Sequence, residues 1–341
     1  MNEKRKVEIA VVGVGGWGKN LARNYYQIPD ANLRYVCDLD EGRLGAIQAQ
    51  FPAENVTKEF DDLLKDDELE AIVIATTGPS HFPLCKMALE AGKDVYVEKP
   101  FVLETPQAQS LIALAAEKQR LIMVGHLMIY HPVMRKLKDL VQQKTLGDLY
   151  YLYSQRLNLG TIREDENALW NFAPHDISSM VYLVGEDPIE VSARGQSYLQ
   201  KGIEDVVFLS MSFPGNILAN VQVSWLDPHK IRKLTLVGSN QMAVFDDLEP
   251  NEKLRIYDKG ATVNSDYDNF AEYIGLRFGD IHIPHINAGE PLRIECNHFL
   301  DCVRERRQPD SNGDDGLAVV KVLEAAQKSL KDGGRPVSLA D

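Results

Sequence analysis

Residues 7–18 read Val-Glu-Ile-Ala-Val-Val-Gly-Val-Gly-Gly-Trp-Gly, an apolar run that ends in glycines at 13, 15 and 18. A second apolar stretch, residues 32–38, closes on Asp38. Strand, glycine turn, helix and a second strand ending in an acid leave few folds open. Gly13 permits a tight turn, Gly15 lets a pyrophosphate approach the backbone, and Gly18 lets the following helix pack closely on the strand. Residues 17–26 read as that helix, and its N-terminal N–H groups, with Gly16 and Trp17 at its mouth, suit a phosphate. The pattern predicts a dinucleotide site. Asp38 accepts hydrogen bonds from an adenosine ribose and repels a 2'-phosphate, so NAD is expected over NADP. Arg43 lies near enough in sequence to offset a 2'-phosphate.

Up to about residue 125 the chain alternates strand and helix. Apolar strand candidates fall at 9–12, 35–37, 71–75, 94–97 and 121–124, with helical spacing over 80–92 and 105–118. This grammar predicts a Rossmann-type, doubly wound parallel sheet. After about residue 148 it changes to strands in succession, at 150–158, 189–194, 206–213, 217–225, 233–237 and 242–246. Strands without intervening helices predict an antiparallel sheet, with Pro214-Gly215-Asn216 as a hairpin turn. Helices are expected at 291–306 and 314–331, the last stopped by Gly333-Gly334. The expected architecture is α/β: a Rossmann domain over 1–125, then an α+β domain over 126–341 with a large, mainly antiparallel open sheet for substrate binding and oligomerisation. The last helices are expected to pack back on the first domain.

The 341 residues carry a net charge of -13, which opposes binding to nucleic acid or anionic lipid. An anionic substrate therefore needs a local cation cluster. No run approaches the roughly 18 apolar residues that span a membrane. Lys4, Arg5 and Lys6 precede an apolar stretch, but Glu8 interrupts it, so a strand is read there rather than a signal peptide. Cysteines at 37, 85, 296 and 302 have neither metal-ligand nor disulfide-framework spacing, which fits a reducing cytoplasm and no metal site.

In open α/β sheets ligands lie beyond the carboxyl ends of the strands. Thr76 and Thr77 follow one strand there, with His81 shortly after, and Glu98-Lys99-Pro100 follow the next. Pro100 holds Lys99 extended. In the second domain, residues 169–176 read Leu-Trp-Asn-Phe-Ala-Pro-His-Asp at what reads as a helix start. His175 is followed by Ile177, Met180, Val181 and Leu183, so a core histidine competes with a catalytic one. Removing hydride from a secondary alcohol requires a base for the hydroxyl proton and a group that stabilises charge on oxygen; His175 and Lys99 suit those roles.

The ordered set Gly13/Gly15/Gly18, Glu98-Lys99-Pro100, Gly125-His126 and Pro174-His175-Asp176 resembles the glucose-fructose oxidoreductase, inositol dehydrogenase and MocA family over nearly the whole chain. Asn158-Leu159-Gly160, Asn167-Ala168-Leu169-Trp170, Ser224-Trp225-Leu226 and Lys230-Ile231-Arg232 resemble its members acting on nucleotide sugars, especially 3-dehydrogenases of the UDP-N-acetylglucosamine type. The resemblance implies that Lys99 binds or protonates the reacting oxygen and that His175 is its acid/base partner. It also implies that His81 lies by the cofactor and that the protein is a homodimer or homotetramer; His126 follows the last strand of the cofactor domain, where it is expected to line the nicotinamide pocket. One departure stands out: many members carry an aspartate four residues before the histidine, where this chain has Asn171. An amide orients a hydroxyl or an imidazole but cannot stabilise imidazolium by charge. Arg156, Asn158, Arg163, Lys230 and Arg232 are the candidates for a diphosphate or uronate carboxylate. A free sugar or cyclitol dehydrogenase, an NAD-assisted glycosidase and a non-enzymatic NAD-binding regulator are the competing functions.

Overall fold

The computed structural model describes residues 5–263, 274–287 and 289–339. Two compact units emerge: Met1–Tyr130 with Gly289–Lys321, and His131–Ala288 with Val322–Asp341. Each unit takes in a part of the C-terminal segment, so a single cut after residue 125 does not describe the chain.

In the first unit the order is β1 (Val7–Val12), α1 (Gly18–Gln27), β2 (Ala31–Cys37), α2 (Glu41–Gln50), β3 (Asn55–Thr57), α3 (Phe60–Lys65), β4 (Ala71–Ile74), α4 (Gly78–Glu90), β5 (Asp94–Glu98), α5 (Thr105–Lys118) and β6 (Ile122–Gly125). The sheet runs β3-β2-β1-β4-β5-β6 and every pairing is parallel. Strands β4, β5 and β6 are buried along their whole length, as a sheet covered on both faces requires. Connections leave β1 toward β2 on one side and β4 on the other. This reversal opens a crevice at the carboxyl ends of β1 and β4, where the glycine loop lies. One side of the sheet packs Ile72, Ile74, Val95, Val97 and Val124 against Leu89, Leu111 and Phe101 from the helical layer and its loops.

The second unit opens with α6 (Pro132–Gln142), β7 (Leu149–Leu157), α7 (Ala168–Val184), β8 (Glu190–Gln196), β9 (Val206–Phe213), β10 (Ile217–Ser224), β11 (Ile231–Gly238), β12 (Met242–Asp246), β13 (Leu254–Val263) and β14 (Ile274–His282). Helix α8 (Pro291–Glu305) then belongs to the first unit, the division falls within α9 (Gly313–Lys331), and β15 (Val337–Ser338) ends the second. Nine strands run β14-β13-β12-β11-β7-β10-β9-β8-β15. All pair antiparallel except β7 with β10. Alternation in β9 buries Val207, Leu209, Met211 and Phe213, and α7 packs on β7, β9 and β10. Tyr151, Tyr153, Phe208 and Leu218 remain exposed.

Pro214-Gly215-Asn216 does join β9 to β10, with Gly215 and Asn216 at φ of 71° and 61°. Gly333 and Gly334 also have positive φ, and the Gly334 N–H caps Ser329 O at 2.8 Å. Among the described residues no helix is long and apolar enough to cross a membrane. All four cysteines are buried free thiols.

Candidate active site

The glycine loop is held by backbone fit. Gly13 adopts φ +82°, and a Cβ on Gly18 would stand 1.7 Å from the Gly13 carbonyl oxygen. Both positions therefore require glycine, one for its conformation and the other for closeness. The outer side is open by contrast. A Cβ on Gly15 would meet the Arg43 guanidinium at 3.5 Å, and one on Gly16 would meet nothing within 4 Å. Backbone N–H groups at a helix N-terminus, with that space before them, fit a pyrophosphate.

Asp38 ties this loop to the end of β2. Its Oδ2 accepts the Val14 N–H at 2.8 Å and its Oδ1 the Asp40 N–H at 2.9 Å. Each carboxylate oxygen has a further lone pair, so a ribose hydroxyl can still be accepted. Arg43 Nη1 stands 3.8 Å from Asp38 Oδ1.

Beyond β4, the Ser80 hydroxyl donates to Thr77 O at 2.7 Å and pairs with the Thr76 hydroxyl at 2.7 Å, and Thr77 precedes the first turn of α4. His81 is fully buried and spans two loops, with Nδ1 2.7 Å from Pro100 O and Nε2 3.2 Å from Thr76 O. Two carbonyls invite two N–H groups, yet burial holds its pKa below the ordinary value despite them. A neutral ring has one N–H, and the shorter contact assigns it to Nδ1, donating to Pro100 O. His81 thus fastens the loop after β4 to the Lys99-Pro100 turn, whose peptide is cis.

Glu98 is buried at the end of β5. It accepts from Trp17 Nε1 at 2.6 Å, from the Tyr96 hydroxyl at 3.1 Å and from the Lys99 backbone N–H at 3.2 Å. Burial raises its pKa, against which these donors and the Lys99 charge pull down. Lys99 itself is half-buried. His126, just past β6, is buried with neither ring nitrogen hydrogen-bonded among the described residues. Burial pushes its pKa down to about 4, so the ring is neutral at physiological pH.

A second group assembles around α7. The Asn167 side chain caps this helix by accepting the Trp170 N–H at 3.1 Å, so His175 sits inside the helix rather than at its start. Pro174 lies within it too. Arg156 on β7 is buried and forks onto Asp176, Nε to Oδ2 at 2.6 Å and Nη2 to Oδ1 at 3.4 Å. Asn171 donates through Nδ2 to Glu166 Oε1 at 2.6 Å, while Trp225 Nε1 approaches its Oδ1 at 3.4 Å. Arg163 pairs with Asp165 and stands 3.3 Å from Glu166 Oε1. The Asn158 N–H bonds Ser224 O at 3.2 Å, joining the ends of β7 and β10. Lys230 is exposed just before β11, and Arg232 stands 3.7 Å from Asp247.

The sequence therefore brings Gly13, Gly15, Gly16, Trp17, Gly18, Asp38, Thr76, Thr77, His81, Glu98, Lys99 and His126 into the first unit, and Arg156, Asn158, Arg163, Asn171, His175, Lys230 and Arg232 into the second. Tyr96, Glu166 and Trp225 were not among the residues singled out as site candidates. Tyr96 reads as an ordinary strand residue, and Glu166 as a solvated loop acid. Tyr96 and its acceptor Glu98 are two residues apart on β5, and Glu166 lies five residues before Asn171, so spacing could have signalled both; Trp225 meets Asn171 only through the fold.

A parallel sheet with a glycine loop at its switch point, an acid at the next strand end and an open phosphate mouth defines an NAD-binding oxidoreductase. Residues 7–126 match the model of the oxidoreductase family with an NAD-binding Rossmann fold, and residues 134–244 match the GFO/IDH/MocA C-terminal domain. The chain belongs to the Gfo/Idh/MocA oxidoreductase family. Over 93% of its length it is 29% identical to UDP-N-acetylglucosamine 3-dehydrogenase of Acidithiobacillus ferrooxidans, covering 94% of that protein. It is 24% identical to scyllo-inositol 2-dehydrogenase (NAD(+)) of Bacillus subtilis, over 98% of this chain and 97% of that one. The crystal structure of GenD2 from gentamicin A biosynthesis, in complex with NAD, has the same fold: TM-score 0.83 at 24% identity, covering 100% of this chain and 98% of that one.

Proposed function

We propose that this protein oxidises a ring hydroxyl of a nucleotide-linked sugar to a ketone, or reduces the ketone, with C3 of a UDP-N-acetylhexosamine or uronate as the reacting position. The observation that carries the reading is the end-to-end similarity to a UDP-N-acetylglucosamine 3-dehydrogenase, across both units rather than the cofactor domain alone. When bound, NAD supplies the hydride acceptor. The Lys99 ammonium binds the reacting oxygen and stabilises the charge that develops there. The His175 imidazole takes the hydroxyl proton in oxidation and returns it in reduction.

Asn171, one helical turn before His175, is an orienting group: its amide is fixed by Glu166 on one side and Trp225 on the other. Arg156 is spent on Asp176 and acts by holding α7 to β7. Exposed Lys230 is the better diphosphate contact, with Arg232, Arg163 and Asn158 in the same unit. The exposed Tyr151, Tyr153, Phe208 and Leu218 support self-association through the open sheet.

A free cyclitol is the second reading, favoured by the similarity to scyllo-inositol 2-dehydrogenase. NADH absorbance with UDP-sugars, UDP-uronates, free hexoses and inositols separates the two, run with wild type and Lys99→Ala. Turnover confined to nucleotide sugars and lost in the variant is the expected result. Turnover with inositols alone transfers the assignment to the second reading. No turnover despite NAD binding removes both.

A further inference from the structure

Helix α8 brings a second carboxyl, Glu295, into the interior of the first unit, where it is fully buried. Neither of its oxygens has a hydrogen-bond partner among the described residues. Glu98 is another buried carboxyl of that unit, and the Tyr96 hydroxyl lies against both of them. We infer that Glu98 and Glu295 hold one proton between them, that Glu295 carries it, and that Glu295 is thereby a positioning residue for the cofactor loop. It keeps a single negative charge on Glu98, where that charge grips the indole of Trp17 and the backbone of Lys99.

The distribution of donors assigns the proton. Glu98 receives three, Trp17 Nε1, the Tyr96 hydroxyl and the Lys99 N–H, and has the Lys99 ammonium close by. Donors stabilise an ionised carboxylate, so Glu98 is the member that can bear the charge. Among the described residues Glu295 has only the Tyr96 hydroxyl, already given to Glu98, beside it; burial first and then the charge of Glu98 push its pKa well above the carboxyl range, with Tyr96 pulling the other way. Two carboxylates in one desolvated space do not both ionise. The remaining titratable neighbours add no cation: Tyr25 from α1 and Cys296 from α8 are held neutral by burial. Tyr96 gives its own hydrogen to Glu98 Oε1, which leaves the hydroxyl oxygen free to accept from a protonated Glu295.

The consequence reaches the glycine loop. Trp17 sits between Gly16 and Gly18, and its indole N–H is fixed by Glu98 at 2.6 Å. A second charge at Glu295 would raise the cost of ionised Glu98 and weaken that grip.

Infrared spectroscopy of the whole protein with carbon-13 glutamate, without substrate, tests the assignment independently of any substrate reading. Wild type is expected to show a protonated-carboxyl band at neutral pH, lost in Glu295→Gln and retained in Glu98→Gln. No such band in wild type, or its loss in Glu98→Gln, overturns the proposal. Should Glu295→Gln fail to fold, the wild-type titration decides: disappearance of the band together with the ordinary carboxyls, by about pH 5, overturns it. NADH affinity by fluorescence tests the positioning role. Glu98→Gln should weaken binding about tenfold, the scale of one charge-assisted hydrogen bond. Wild-type affinity should fall on the alkaline side as Glu295 ionises, and Glu295→Gln should lack that fall. An alkaline fall that persists in Glu295→Gln sinks the role assigned to Glu295.

Discussion

Glu98 and Asp176 are buried carboxylates, one in each unit, and they are kept in opposite ways. Glu98 is surrounded by neutral donors from an indole, a phenol and a backbone amide. Asp176 is met by a guanidinium that forks across both its oxygens. The same contrast runs through the two groups of candidate residues. In the first unit, backbone closeness at Gly13 and Gly18 and the His81 ring do the positioning, and the buried His126 ring is neutral. In the second, ionic contacts joining Arg156, Arg163, Asp165, Glu166 and Asp176 surround α7. A region that receives a dianionic pyrophosphate on backbone N–H groups gains when its carboxylates, Asp38 and Glu98, are tied up by neutral donors and no further charge is added, since each extra anion nearby would repel it. A helix that carries His175, the proton-transfer group of the proposed function, gains from paired charges that fix its place without leaving an excess.

Substitutions at three places press on this contrast, in decreasing order of effect. Gly18→Ala puts a Cβ 1.7 Å from the Gly13 carbonyl, so the turn must break or the helix must move. NADH titration and thermal melting should show loss of cofactor binding and a stability loss of several kcal/mol, about the upper range for a single substitution. Tight NADH binding in Gly18→Ala would mean that the loop is not governed by backbone fit. Next, Arg156→Met strands Asp176 as a buried unpaired charge and should cost about 3–5 kcal/mol in urea unfolding. Adding Asp176→Leu should recover much of that loss. A double variant no better than the single would show that the pair matters through packing and not charge.

The smallest effect is acid sensitivity in the first unit. The folded-state pKa of His126 is depressed to about 4, below the roughly 6.5 of an unfolded histidine. Its neutral form is the one the fold accepts, so its contribution is present above about pH 6.5 and lost as pH falls toward 4. The loss totals about 3 kcal/mol by linkage. His126→Leu should flatten this slope in pH-dependent unfolding, and an unchanged slope would place the acid sensitivity elsewhere.

Much of the fold was legible because its signals are local. An apolar strand, a conformationally required glycine and an acid at the next strand end are neighbours in sequence, and they recur as neighbours in β1, the loop and β2. The strands from 206–213 to 242–246 were legible by alternation. Helices α2, α3 and α6 and strands β3, β13, β14 and β15 were not read from it. Short or exposed elements such as β3, with two of three residues exposed, carry little periodicity. The helix bearing His175 begins earlier than the sequence suggested, because the Asn167 cap and not Pro174 sets its start.

By itself the sequence determined the sheet grammar, the glycine turn and the preference for a dinucleotide carrying an unphosphorylated ribose. Each depends on backbone conformation or on spacing within one strand–helix unit. Only the tertiary structure decided which charges are available for chemistry. Arg156 looked like a free cation and is committed to Asp176, twenty residues on. Glu295, on a helix far along the chain, lies buried beside Glu98. Charge state depends on desolvation and on partners reached through space, and neither is written in the local order of residues.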